Sequence, residues 1–355
     1  MAELSDAPGK VRESEALPEE ALEAWMHAHV PGFEGALTIE QFRKGHSNLT
    51  YCVSDRRQSW VLRRAPFGKH AASAHDMARE WRILEALSGA YGKAPEPVAF
   101  CDDEAVMGAP FYLMQRLNGV ILRTSPPKGL AWSPELGETL CDAFVDELVA
   151  LHDVSLGAAG LAGFGRPEGY VERQVGGWTR RYRRSQTDEI AEMDALATWL
   201  ERERPDERGA VLIHNDFKYD NLVLDPDNPS RIVGVLDWEM STVGCPWMDV
   251  GSTLGYWIEE GDGAALQMMP FRVAAFPGTW SRARLVKAYA ERSGRGLDDA
   301  AFYHAYGLFK LAVVAQQIYA RFARGDTDDP RFGMMIHGVR ALAELGARTV
   351  DRGAR

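Results

Sequence analysis

The chain has 355 residues, 46% of them hydrophobic and 26% charged, and a formal net charge of −11. That length is too great for one small core and suits two lobes or domains. The acidic balance argues against a general nucleic-acid binder, which needs a basic footprint, though it leaves room for a local basic patch. The polar N-terminus lacks the pattern of a secretion signal, and no uncharged apolar run reaches membrane-spanning length. The expectation is a cytoplasmic protein with no membrane and no nucleic-acid partner. Nothing in the pattern fixes an oligomeric state. Cys52, Cys101, Cys141 and Cys245 form no C-x-x-C pair and read as reduced, buried thiols.

Taken in chain order, residues 1–16 are polar and charged and read as a disordered tail. Pro18 opens a helix over 19–29, with Ala21, Leu22 and Trp25 at helical spacing. The apolar period then shifts toward two, predicting short strands over 37–42, 49–54 and 59–64. A turn at Lys44-Gly45-His46-Ser47-Asn48 separates the first two. A helix over 74–87 follows, carrying Met77, Trp81, Leu84 and Leu87. Two more strands are predicted over 98–101 and 111–115. The first lobe, 17–115, is therefore a small antiparallel sheet with a packed helix. Beyond it, 116–355 reads as a mainly helical lobe, with helices over 135–151, 171–184, 189–202, 248–259, 281–293, 298–324 and 330–350. Within it a short strand at 211–214 and a hairpin of 222–224 with 232–236 interrupt the helices.

The densest chemistry lies in Leu212-Ile213-His214-Asn215-Asp216-Phe217-Lys218-Tyr219-Asp220-Asn221, where an apolar strand runs into a polar loop. Sixteen residues past Asn221, a second apolar strand ends at Asp237. Phosphoryl transfer needs a carboxylate near the attacking hydroxyl, hard oxygen ligands for Mg²⁺, and a cation facing the migrating group. Asp216 suits the first role, Asn221 and Asp237 the second, and Lys218 the third. His214 fits a loop-holding role better than a chemical one. The alternative is a polar turn after a strand, with Asp237 as a helix cap.

The loop resembles the protein-kinase catalytic loop H-R-D-L-x-x-x-N, with Asp237-Trp238-Glu239 in place of D-F-G. His214-Asn215-Asp216-Phe217-Lys218 with Asp220-Asn221, then Leu236–Glu239, then Gly244, Pro246 and Asp249-Val250-Gly251, resembles the aminoglycoside phosphotransferase/choline kinase-like superfamily. The segments Gly45–Tyr51, Val61–Arg64, Leu148–His152 and Glu172–Val175 are similar to the group related to the kinase domain fused to certain acyl-CoA dehydrogenases. The resemblance spans roughly residues 36–345.

This resemblance implies an α+β, bilobal protein-kinase-like fold that binds ATP and Mg²⁺ and phosphorylates a hydroxyl of a small molecule. Asp216 and Lys218 would be catalytic, and Asn221 and Asp237 the metal ligands. Ser47 and Asn48 would cover the phosphates. Arg63 would stand where kinases carry a Lys, paired with Glu80; since strand neighbours alternate, only one of Arg63 and Arg64 faces the cleft. Backbone groups near Gln115 and Leu117 would meet the adenine edge. Glu239, Arg173 and Arg321 are substrate candidates, the Arg173–Arg184 cluster being either an anion site or a solvated helix face. Asp249 reads as a cap tying the loop at Gly244–Pro246. The acceptor implied by the dehydrogenase-linked relatives is a hydroxyacyl-CoA or hydroxy acid. An aminoglycoside or other amino alcohol, or a non-catalytic nucleotide-binding scaffold partnering a dehydrogenase, remain the other readings.

Overall fold

The computed structural model describes residues 7–42, 48–66, 77–123, 125–127, 129–207, 209–269, 276–296 and 299–353. Five antiparallel strands, β1 (Thr38–Gln41), β2 (Leu49–Ser54), β3 (Ser59–Arg64), β4 (Pro97–Cys101) and β5 (Phe111–Gln115), form one sheet in the order β1-β2-β3-β5-β4. Two helices, α1 (Glu19–His29) and α2 (Met77–Leu87), belong to this lobe, with a short α3 (Glu104–Met107) capped by Asp103. The period-two pattern sorts the side chains. Tyr51, Val53, Trp60 and Leu62 join Leu22 and Met26 of α1 in one core. On the other face Val61, Tyr112 and Met114 join Ile83, Leu84 and Leu87 of α2. Arg63 therefore follows Val61 toward α2. Arg64 turns to the opposite face, where its guanidinium donates to Ala65 O and Met107 O.

The described part of the segment 1–16 makes defined contacts with the sheet. Gly9 bridges Gln41, the Arg12 N–H donates to Gln41 Oε1 at 3.1 Å, and Tyr51 Oη donates to Glu15 O at 2.8 Å. Gln41 is only 1% exposed, so a buried side-chain amide anchors a segment too polar to pack by hydrophobic burial.

The helical lobe contains α4 (Pro134–His152), α5 (Tyr170–Ser185), α6 (Ala191–Arg202), α7 (Pro246–Tyr256), α8 (Ala264–Gln267), α9 (Arg282–Ser293), α10 (Ala300–Ala323), α11 (Pro330–Gly333) and α12 (Met335–Gly353). Two short ladders lie among them: β6 (Val211–Ile213) with β9 (Thr242–Gly244), and β7 (Leu222–Leu224) with β8 (Ile232–Val235). The sequence pattern missed β9, which is three residues long. Together the ladders fix both ends of the loop at 214–221 and of the segment at 236–241. Val120 bridges Leu224, and Gly119 lies so close to Leu224 O that a Cβ there would collide with it. The chain linking the lobes is thereby fastened to β7. A second close approach sets the depth of α10: Cβ atoms at Gly251 or Gly307 would overlap the facing backbone of α10 or α7. No helix among the described residues is long and apolar enough to cross a membrane.

Candidate active site

The loop leaving β6 is held by a buried carboxylate. Asp249, in the first turn of α7 and fully buried, accepts the N–H of His214 at 2.7 Å, the N–H of Asn215 at 2.6 Å and His152 Nε2 at 3.1 Å. Burial pushes its pKa up, but the hydrogen bonds and charge of His152 and His214 outweigh that and leave it below the usual carboxylate range. Asp249 is thus not a cap for the 244–246 loop; it is the anchor of the loop at 214–221. Tyr289 Oη hydrogen-bonds His152 Nδ1 at 2.7 Å, orienting that ring.

His214 is the second anchor. Its Nε2 donates to Leu236 O at 2.9 Å and its Nδ1 accepts the Asp216 N–H at 3.3 Å. One imidazole so ties the loop to the end of β8. Asn215 sits at φ 65°, a conformation costly for a non-glycine residue. Its amide exchanges hydrogen bonds with Tyr170 Oη and donates to Met240 O at 3.0 Å. Its carbonyl takes Lys310 Nζ at 2.5 Å.

This backbone delivers Asp216. Lys218 Nζ lies 3.0 Å from Asp216 Oδ2, and Asn221 Nδ2 donates to the same oxygen at 3.0 Å and to Asp216 O at 2.9 Å. Tyr256 Oη also hydrogen-bonds Asp216; burial first, then the Asp216 charge, drives the phenol pKa far upward. Burial pulls the Lys218 ammonium down, but Tyr256, Asp216 and Asp220 more than offset it and hold it charged. Asp220, not singled out in the sequence, completes this group 3.8 Å from Lys218, its pKa raised by burial and opposed by Lys218.

The second centre is Arg63. Its guanidinium lies 2.9 Å from Glu80 Oε1, 3.0 Å from Asp237 Oδ1 and 3.4 Å from Glu239 Oε2. Burial works against its charge, and Glu80 leads the groups that restore it, lifting the pKa well above its ordinary value. Burial raises Glu80 despite Arg63. Burial also pushes Asp237 upward, but the Arg63 charge and hydrogen bonds win, so its pKa is lowered. Asp237, like Asn215, has positive φ, 68°.

The two centres meet through the backbone: the Leu236 N–H donates to Asn221 O at 2.8 Å. Asn221 spends its amide nitrogen on Asp216, which leaves its Oδ1 as a donor oxygen. Asp237 spends Oδ1 on Arg63, which leaves Oδ2. An amide oxygen just before β7 and a carboxylate oxygen just past β8 fit a hard cation that takes its remaining ligands from phosphates and water.

The other expected residues divide. Asn48 is buried and donates to Glu239 Oε2 at 2.9 Å, whereas Ser47 lies outside the described residues. The Gln115 N–H is taken by Glu96 O at 2.8 Å, and Leu117 packs its side chain on Gly234 of β8. Glu239 meets Asn48 and Arg63. Arg321 is exposed at the end of α10, about 16 Å along the helix from Lys310 at 1.5 Å per residue. Arg173 lines a cavity of about 300 Å³ with Arg79, Arg166, Arg181 and Lys310. Lys310 was missed; its signal was a lone cation inside the apolar run Leu308-Phe309-Lys310-Leu311-Ala312.

A five-stranded lobe over a helical lobe, with this loop and the Arg63–Glu80 pair between them, defines a phosphotransferase of kinase-like fold. Over residues 38–303 the chain matches the phosphotransferase enzyme family, and it belongs to that family. It is 33% identical over 368 residues to acyl-CoA dehydrogenase family member 11 of Homo sapiens, covering 97% of this chain and 46% of the relative. The chain thus spans about half the length of the curated relatives it matches. A protein of Ralstonia eutropha JMP134 assigned as an aminoglycoside phosphotransferase superposes with a TM-score of 0.80 at 33% identity, over 95% of this chain and 99% of that one. Choline kinase of Cryptosporidium parvum shares the fold, with a TM-score of 0.64 at 14% identity over 94% and 97% of the two chains.

Proposed function

We propose that the chain transfers the γ-phosphoryl group of ATP to a hydroxyl of a small molecule. The observation that carries this is the Asp216 carboxylate, held by Asn221 and Lys218 and tied through Asn221 O to the Asp237 strand. Asp216 orients the acceptor hydroxyl and takes up its proton as the oxygen attacks phosphorus. Lys218, kept charged by its carboxylate neighbours, faces the negative charge of the transferring group. Arg63 offers a planar fork of donors to phosphate oxygens. Asn221 Oδ1 and Asp237 Oδ2 would hold Mg²⁺, which when bound neutralises charge on the phosphates. Asn48 and the Gln115–Leu117 backbone form the nucleotide side of this reading.

The dehydrogenase-linked relatives support a hydroxyacyl-CoA or a hydroxy acid as the acceptor class. A screen of hydroxyacyl-CoAs, free hydroxy acids and aminoglycosides by ADP release tests it. Turnover only with amino sugars or amino alcohols would replace the acceptor class. ATP turnover unchanged by Asp216→Asn would overturn the role given to Asp216, and no turnover with any acceptor would favour the scaffold reading instead.

A further inference from the structure

The cavity beside the catalytic loop has an unusual lining. Arg79, Arg166, Arg173, Arg181 and Lys310 face it together with Tyr170, Gln174, Trp178, Asn215, Met240 and Thr242, and among the described residues no carboxylate does. In a chain of net charge −11, five cations gathered without an acid form a local field that a bound anion neutralises. Asp216, Lys218, Asn221 and Asp237 are not among the lining residues; the cavity adjoins their loop through Asn215 and Lys310.

Arg173, Arg181 and Lys310 each have a defined contact, none of them with a carboxylate among the described residues. Arg173 donates to the carbonyls of Glu168 and Arg166, and Arg181 lies over the Trp178 ring at 4.5 Å. Lys310 is buried and donates only to neutral oxygens among the described residues, Asn215 O at 2.5 Å and Ser252 Oγ at 3.1 Å. Among the described residues Arg166, Arg173, Arg181 and Lys310 form no salt bridge. Burial lowers the Lys310 pKa to about 8, although the more distant charges of Asp216 and Asp249 oppose the shift.

We propose that this cavity is a second anion site, which takes a phosphate group on Arg173, Arg181 and Lys310. Guanidinium forks suit phosphate oxygens. Two of the lining cations also grip the catalytic segments. Lys310 holds Asn215 O, directly before Asp216, and Arg79 donates to the carbonyls of Glu239 and Ser241, just past Asp237. An anion here therefore stiffens both segments at once. The site stands independently of the kinase reading: if Asp216→Asn left turnover intact, that reading would fall while phosphate binding stayed untouched.

The test is calorimetric titration of the full chain with inorganic phosphate at low salt, repeated with saturating AMP-PNP and Mg²⁺. The expected result is a Kd of about 1 mM or tighter, retained with AMP-PNP and weakened about tenfold or more in R173A/R181A. R181Q alone, on an exposed side chain, serves if the double variant does not fold. No binding up to about 10 mM, loss of binding on adding AMP-PNP, or binding unchanged by the substitutions would overturn the proposal. The phosphate can be free or carried by the acceptor. If it is the acceptor's own, added phosphate raises the acceptor KM at constant kcat; if it is free, phosphate raises the thermal midpoint and leaves that KM unmoved.

Discussion

Asp249→Asn isolates the carboxylate that shapes the catalytic loop. Asp249 Oδ2 accepts His214 N–H and His152 Nε2, and Oδ1 accepts Asn215 N–H. Asparagine keeps one oxygen. With that oxygen at the Oδ2 position, the Asn215 N–H meets an amide NH₂. One charge-assisted bond disappears and a buried donor is left unsatisfied, together worth about 3 kcal/mol. Unfolding entropy of about 2.1 cal/mol/K per residue makes this a fall in Tm of about 4 °C for a chain of this length. The rate should fall further than stability does. Asn215 keeps its φ of 65° only because its neighbours over-determine it, and a shift of about 1 Å at Asp216 costs on the order of 100-fold. Differential scanning fluorimetry and ADP-release kinetics, run well below the melting transition, measure both. Nucleotide KM should change little, since the Arg63 pairs are untouched. A variant with lowered Tm and wild-type kcat/KM would refute the argument that Asp249 sets the position of Asp216.

Asp216→Asn should lower kcat by about 10²–10⁴-fold with near-native Tm, measured by ADP release and thermal melting. Arg63→Met should destabilise by about 3–5 kcal/mol, because it strands Glu80 beside Asp237 in the cleft; urea midpoints check this, and an unchanged midpoint would show that the pair is replaceable. The pH dependence of stability has one predicted limb in acid. Burial, aided by the Arg282 charge, lowers His304 to about 3 from an ordinary 6.5, so between those values the unfolded chain binds a proton that the folded chain refuses. His304 therefore removes stability as pH falls through that window, by up to about 1.4 kcal/mol per unit. Urea titrations of wild type and His304→Leu should diverge in slope there, and parallel curves would count against it. In alkali the depressed Lys310 pKa of about 8 has a related sign: the cost of burying its charge is relieved as pH rises from about 8 toward 10.5. Lys310→Met should flatten that rise.

The residues proposed for phosphoryl transfer could be picked out because they are local. Asp216, Lys218 and Asn221 share one loop, and their relation is set by spacing along a few residues. Asp237 was legible because the β7–β8 hairpin returns it to the Asn221 end. The choice between Arg63 and Arg64 required strand register, since alternation predicts that they differ but not which one faces the cleft. Lys310 and Asp249 were misjudged for a common reason: each acts on residues 34 to 95 positions away. Lys310 reaches the loop because glycines let α7 and α10 approach closely. Helical periodicity marks such positions as core and says nothing of what lies across the contact.

The two non-glycine residues in the left-handed region, Asn215 and Asp237, flank the site from its two ladders. Each conformation costs on the order of 1–3 kcal/mol, and each is held by charge rather than by packing alone. Asn215 is fixed by Asp249 at its N–H and Lys310 at its carbonyl. Asp237 is fixed by Arg63, which α2 positions through Glu80. Charged clamps of this kind respond to nearby ions where apolar packing does not. Phosphates arriving at Arg63 compete with Asp237 for the same guanidinium, and an anion near Lys310 changes the field at Asn215. The strained backbone on either side of Asp216 is therefore the part of the molecule whose geometry ligand charge can adjust, and it carries the groups assigned here to the reaction.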